Sequence, residues 1–386
     1  MRKLLFYLIF IFPFNTLWAE ETNSNIIVQN KDTLMEETDS IMTTQNIDSI
    51  VEGIVSIKFS DTIPFNNPEI NRRKYAKDIG IKFIHPYKFF ENSKEFNLPR
   101  TLTLSLGIGV MYGAANAWWS AAWYSKYERG KFGFFNDNGE WLQMDKAAHT
   151  FNAYFISRWG HNLYRWGGVK EKNNIWIGML IANMWQLSIE LNDGFSPKWG
   201  FSWGDMTANF TGSMIFGVQQ YFWKDQKFNL KISATPEKYP SDLRPRTDNL
   251  YGTSMGELIL KDYNAMTFWL NASPGAFIKN PDSKFPKWIS LSLGYGATGM
   301  LGGFENKWCA NKDSETGDCP PESIIDRSDL PRIRQYYVSW DIDFSKIPTK
   351  RPALKTFFEL INILKVPFPA LEFRSDGKVK WNWYQF

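Results

Sequence analysis

The sequence predicts an α+β protein: a hydrophobic bundle of about four helices, then a C-terminal antiparallel β region. Four apolar blocks lie between about residue 98 and residue 223, parted by polar or Gly-rich turns. From about Lys227 the apolar period changes from helical to alternating, the pattern of half-buried strands. Aromatic residues make up 17% of the chain, with 18 tryptophans. That composition suits membrane interfaces, glycan platforms and β-barrel girdles.

The first element, residues 1–19, reads as a signal peptide. Arg2 and Lys3 precede the apolar run LLFYLIFIF, and TLWAEE offers cleavage after Ala19. An uncleaved anchor helix is the competing reading. Either way the rest of the chain is expected beyond the cytoplasmic membrane. No cysteine follows the apolar run, so no lipid-anchor signal is evident. Residues 20–95 read as a flexible polar spacer with short ordered pieces such as GIVSIKF. His85 precedes Pro86 there and has a structural reading.

Residues 96–226 form the predicted bundle. Its first block has no charge between Arg100 and Lys126, long enough to cross a bilayer. Gly109 and Gly113 form a GxxxG, which lets helices approach closely. The next three blocks are shorter, and each carries charge at one end. Membrane association is favoured over a soluble bundle.

Residues 227–386 read as β-rich, a partial or small barrel. VSWDIDF places Val338, Trp340, Ile342 and Phe344 on one face and Ser339, Asp341 and Asp343 on the other. Asp376-Gly377 supplies a hairpin turn. The terminal Phe386 resembles the end of an outer-membrane barrel. Counting back in twos, however, meets Asn382 and Lys380, and about six strand candidates fall short of eight. Cys309 and Cys319 flank a polar loop and are expected to pair in an oxidising compartment, two free thiols being the alternative. A net charge of +4 with no basic stripe gives no reason to expect nucleic acid.

The candidate site lies where the apolar blocks end. Asp145 and His149 are i and i+4, on one helical face. Glu190 and Asp193 close the third block, and Asp205 and Asn209 open the fourth. Ser202 is three residues before Asp205, as an N-cap should be. In an up-and-down bundle these ends share one level, so Asp145, Lys146, His149, Glu190, Asp193, Asp205 and Asn209 converge on a rim. Gly212 allows a close helix crossing there. A histidine among carboxylates can hold a divalent metal through His149, Glu190 and Asp205. It can also act in acid–base catalysis, with His149 as base beside Asp145, Glu190 and Asp205. The plain alternative is an ion-pair network that pins helix ends together, with Lys146 offsetting the acids. His161, near Arg165, reads as interfacial.

The order of DKAAHTFNAYF, the later Glu190 with LND, and GFSWGDMTANFTGS resembles the YfiM-typified family of predicted periplasmic lipoproteins, whose function is unknown. More distantly it is similar to VanZ-like membrane proteins. The resemblance runs over about residues 145–216, on Asp145, Lys146, His149, Glu190, Asp193, Asp205, Asn209 and Gly212. It implies an envelope protein with short helices and brings no reaction with it. The expected function is an outer-envelope, membrane-associated protein of structural or binding type. One alternative is an enzyme modifying a lipid or glycan headgroup at the rim. Another is an accessory subunit of an outer-membrane export or assembly machine. Membrane lipid and an outer-membrane protein are the expected partners, and the outer membrane or periplasmic face the expected place.

Overall fold

The fold is built on helices that cap, charge and cross as their sequences dictate. The computed structural model describes residues 89–119, 129–196, 199–278, 280, 283–310 and 319–386. The expected signal peptide, His85 and nearly all of the expected spacer lie outside the described residues. The described residues belong to one compact unit. Helix α1 is Leu98–Trp119, α2 Met144–Trp166, α3 Glu171–Gly194 and α4 Trp203–Trp223. Each of α2, α3 and α4 carries an acid in its first turn, where the helix dipole favours it. The Arg100 guanidinium lies 4.3 Å from the Trp166 ring and donates to the Trp166 carbonyl, tying the start of α1 to the end of α2.

Helices α2, α3 and α4 pack tightly on one another, and glycine sets the spacing at two crossings. A Cβ at Gly178 would stand 2.3 Å from the Ser157 carbonyl oxygen, and one at Gly212 would stand 2.0 Å from the Thr150 carbonyl oxygen. Neither is a tolerable contact, so α2 closes on both neighbours because these side chains are absent. The expected GxxxG of α1 is not used this way among the described residues. Positions 109 and 113 face open space. Nor is any helix among the described residues long and apolar enough to cross a membrane. Thr101, Thr103, Ser105 and Asn116 dilute the charge-free block of α1.

The remaining elements are β1 (Phe228–Ala234), α5 (Arg244–Tyr251), α6 (Met255–Lys261), β2 (Met266–Ala272) and β3 (Ile289–Thr298). They continue with β4 (Lys307–Cys309), β5 (Ile324–Asp326), β6 (Ile333–Ile342), α7 (Pro352–Ile361), β7 (Phe368–Arg374) and β8 (Val379–Gln385). Six strands make one antiparallel meander in the order β1-β2-β3-β6-β7-β8. The β4–β5 hairpin is inserted after β3 and holds one end of the Cys309–Cys319 disulfide. In the β7–β8 hairpin Gly377 alone takes positive φ (82°), Asp376 does not. The architecture is therefore α+β.

The alternation of the strands was legible, but the buried face is the opposite of the usual one. Asn229, Lys231, Ser233, Asn271, Ser290, Ser292, Ser339, Asp341 and Glu372 are buried. Leu293 (51% exposed), Trp340 (53%) and Trp383 (69%) face outward, with Leu270, Leu291, Val338, Phe373, Val379 and Trp381. Val338 and Trp340 thus lie on the exposed face, and Ser339, Asp341 and Asp343 on the buried one. Alternation shows that two faces differ. Curvature decides which is enclosed. The polar groups are satisfied inside: Lys231 pairs with Asp341 at 3.1 Å, and Asn229 donates to Asp343 at 2.9 Å. The Trp269 and Tyr337 rings fill the space beside them, 5.6 Å apart.

The end strands of the sheet are β1 and β8. The β1 edge is covered by the segment after α7, through bonds from Ile232 N to Ile363 O and from Lys365 N to Ile232 O, each 3.0 Å. The Thr235 hydroxyl donates to the Phe386 carbonyl at 2.9 Å, so the chain terminus returns beside β1. On the outer face α2 covers only one corner. There Phe151, Tyr154 and Phe155 pack with Ala234, Met266, Phe268 and Ala297 in the main apolar core.

Candidate functional site

The expected rim exists, and a strained turn aims its first helix. Trp141, Leu142 and Gln143 all adopt left-handed backbone (φ 49°, 50° and 66°) just before α2. Side chains rarely sit there, at about 1–2 kcal/mol per residue. The β region holds the turn in place. Arg334 Nη1 donates to the Leu142 carbonyl at 2.8 Å, the Tyr295 hydroxyl donates to the same oxygen, and Trp141 N donates to Gly303 O at 2.7 Å. The chain then enters α2 with Met144 fully buried and Asp145, Lys146 and His149 facing the other helix ends.

Around His149 Nε2 stand three carboxylate oxygens from three helices: Asp205 Oδ1 at 3.6 Å, Asp145 Oδ1 at 3.8 Å and Glu190 Oε1 at 3.9 Å. On the other side of the ring, His149 Nδ1 lies 3.0 Å from Asn209 Oδ1, which also accepts from Gln186 Nε2 at 2.7 Å. Lys146 Nζ lies 2.7 Å from Asp205, 2.7 Å from Asp137 and 3.0 Å from Asp145. Ser202 caps α4, accepting from Asp205 N at 3.1 Å, and its hydroxyl donates to Asp137 Oδ1 at 2.6 Å. Ser202 N in turn donates to Glu190 Oε2 at 3.2 Å. The structure thus brings together Asp145, Lys146, His149, Glu190, Ser202, Asp205 and Asn209, with Gly212 at the crossing below them.

Asp193 is not one of the carboxylates within 4 Å of His149. It lies on the half-exposed last turn of α3, where three residues past Glu190 the helix has carried it about 4.5 Å further along its axis. His161 differs from its interfacial reading. It is buried against Phe216, with Nε2 3.2 Å from Glu171. Three members of the site escaped the sequence reading. Gln186 is four residues before Glu190, a spacing that could have found it. Asp137 precedes α2 in a loop with no pattern to mark it. Tyr263 comes from beyond α6 and donates to Asp145 Oδ1 at 2.6 Å.

Burial and charge act against each other here. Burial raises the Glu190 carboxyl to about 7, although His149 and the Ser202 amide pull it down. Burial also raises Asp205, to about 8, with the negative charge of Asp145 and Glu190 adding to it. For Asp145 the burial effect is overcome by His149, Lys146 and the Tyr263 hydroxyl, which hold it at about 2. Burial would lower His149, but Asp145, Asp205 and Glu190 raise it above its usual value.

Linkage gives the sign of the pH response. Glu190 releases its proton near 4.5 unfolded and near 7 folded. Between those values the folded chain holds the extra proton, so stability falls as pH rises. His149 acts the same way, its contribution being lost as pH passes its raised folded value. In the presence of a chelator the melting temperature should therefore fall from about pH 5 to about pH 8. Glu190→Gln should flatten part of that slope, as differential scanning calorimetry across the range would show.

Residues 131–220 match the family model described as Predicted periplasmic lipoprotein (DUF2279). The DUF2279 segment spans Asp137, α2, α3 and all but the last turn of α4. It holds every member of the site except Tyr263. The resemblance read from Asp145 to Gly212 is thus supported by a match over a slightly longer stretch. The family description agrees with a place in the cell envelope, on the periplasmic face. Comparison with curated proteins and with solved structures finds no match.

Proposed function

We propose that this envelope protein is an outer-membrane-associated component of structural or binding type, with the outer face of its β sheet seated in lipid. The observation that carries this reading is the inverted sheet. An antiparallel sheet with a polar, hydrogen-bonded interior and an apolar, tryptophan-rich exterior is the pattern of outer-membrane β proteins. In water the exposed Leu293, Val338, Trp340, Trp381 and Trp383 would form an apolar area of the kind that marks an interaction surface. The helices also expose Trp176, Leu180, Met184, Phe210 and Phe222. A notch lined by Trp288, Ile289, Trp340, Asp341, Ile342 and Phe368, apolar but for the buried Asp341, suits an acyl chain. Strands β3 and β6 are 10 residues each, the length of a membrane strand, whereas β1, β2, β7 and β8 are 7. The sheet is thus proposed to dip into lipid without forming a pore.

Fractionation tests the reading. The native chain should sediment with outer membranes and resist a high-salt, alkaline wash. Leu293→Lys combined with Val338→Lys changes only outward positions on neighbouring strands, which pair directly. That variant should be released by the wash while keeping its melting temperature in detergent. Native protein recovered free in the periplasmic extract would overturn the proposal.

A further inference from the structure

We propose that the three helix ends around His149 form a binding site for one divalent transition-metal ion of the zinc type, held by His149 Nε2, Glu190 Oε1, Asp205 Oδ1 and Asp145 Oδ1. This inference stands apart from the membrane reading and rests on different atoms.

The orientation of the imidazole comes first. Asn209 Oδ1 already accepts from Gln186, so it acts as an acceptor toward His149 too. That arrangement suits the tautomer protonated on Nδ1, in which Nε2 of the neutral, metal-bound ring turns its lone pair to the carboxylates; Gln186 Nε2 also stands 3.4 Å from Nδ1. A second polar group that fixes the far nitrogen of a histidine is the usual support for a metal ligand. Asn209 is a positioning residue in this arrangement.

Next come the distances. The facing oxygens stand 3.6, 3.8 and 3.9 Å from Nε2. That is too long for a hydrogen bond from a protonated ring. It fits two ligands sharing one ion. Bonds of about 2.0–2.2 Å put their donor atoms roughly 3.4 Å apart at a tetrahedral angle, and at most about 4.3 Å apart. The ligand atoms of Asp145, His149 and Asp205 all lie within 4.8 Å of one another, and Glu190, outside that set, meets it through His149 Nε2.

The independent observation is Glu190. The residue is 1% exposed, and its Oε1 has no hydrogen-bond partner among the described residues, while Oε2 is held by the Ser202 amide. A buried acceptor left unpaired costs about 1–3 kcal/mol. This one points at the same spot as the His149 lone pair. Lys146 does not fill the gap. It bonds Asp145 through Oδ2, leaving Oδ1 to the Tyr263 hydroxyl on the His149 side, and its Nζ lies 2.7 Å from both Asp205 Oδ1 and Asp137 Oδ1, so an ion would share Asp205 Oδ1 with it; among the described residues it makes no ion pair with Glu190. One imidazole nitrogen among carboxylates favours zinc-type ions over magnesium or calcium, which take oxygen ligands. His149 and Asp145 keep some exposure (16% and 19%), so a small ion has a way in.

The test uses the untagged full chain in detergent, stripped with a chelator and titrated with cobalt(II). The expected result is about one cobalt per chain, with a visible absorption band that zinc displaces and a raised melting temperature. Glu190→Gln is nearly the same size and should fold. It should weaken binding at least tenfold, as should His149→Ala. Asn209→Ala should weaken it by about tenfold to a hundredfold while the band persists at saturating metal. Absence of saturable binding by the native chain overturns the proposal. So does native affinity in folded Glu190→Gln.

Discussion

Asp341→Ala should destabilise the folded chain by about 3–5 kcal/mol. Lys231 is 0% exposed, and its ammonium lies 3.1 Å from Asp341 inside the curled sheet. Removing the carboxylate leaves that charge with the Ile342 carbonyl, 2.7 Å away, and the Phe344 ring, 5.4 Å away. It also strands Asn271 and the amides of Ile342 and Val366, all of which donate to Asp341. Replacing both partners, Lys231→Met with Asp341→Leu, removes the orphaned charge and should recover part of the loss, the part due to the three stranded donors remaining. Denaturant unfolding in detergent, monitored by tryptophan fluorescence, measures both. A single variant within 1 kcal/mol of the native chain would mean that the interior is wet enough to solvate Lys231. That threshold is about the upper end of what an exposed pair contributes.

The second large effect is expected at Gly212→Ala. The added Cβ would meet the Thr150 carbonyl oxygen at 2.0 Å and the Tyr154 nitrogen at 3.0 Å. Both are backbone atoms of α2, so no side chain can swing aside. Helices α2 and α4 must part, and overpacking of this kind costs about 1–3 kcal/mol, occasionally more. The separation also pulls Asn209 from His149, since the two sit one turn along the same crossing. A lowered melting temperature should therefore come with a shifted His149 ring resonance in nuclear magnetic resonance. Gly109→Ala on α1, where nothing lies within 4 Å, should leave both unchanged.

Much of the site was readable because helices translate spacing into direction. Asp145 and His149 share a face at i and i+4, and Ser202 sits three before Asp205 as a cap must. Alternating helix directions then bring three ends to one level, and His149 stands within 4 Å of carboxylates from all of them. Tyr263 and Asp137 were not readable. One arrives from the β region 118 residues after Asp145, and the other lies in a loop without periodicity. The left-handed turn at Trp141, Leu142 and Gln143 was equally silent. None of the three is glycine, and Arg334, Tyr295 and Gly303, with the Tyr251 and Tyr263 rings beside Trp141, hold them there.

Taken alone, and with α5 and α6 unread, the sequence determined the helices that carry the site, the alternation of the main strands and which residues each of those helix ends presents. These are local properties, set by a period of 3.6 or 2 and by capping chemistry. It did not determine which face of the alternating strands lies inside. Ser339, Asp341 and Asp343 could have faced water and Val338 and Trp340 a core. The curl of six strands around Lys231, Asp341, Trp269 and Tyr337 decided the opposite. Burial is a property of the closed surface, and only the tertiary structure says which side of a sheet that surface encloses.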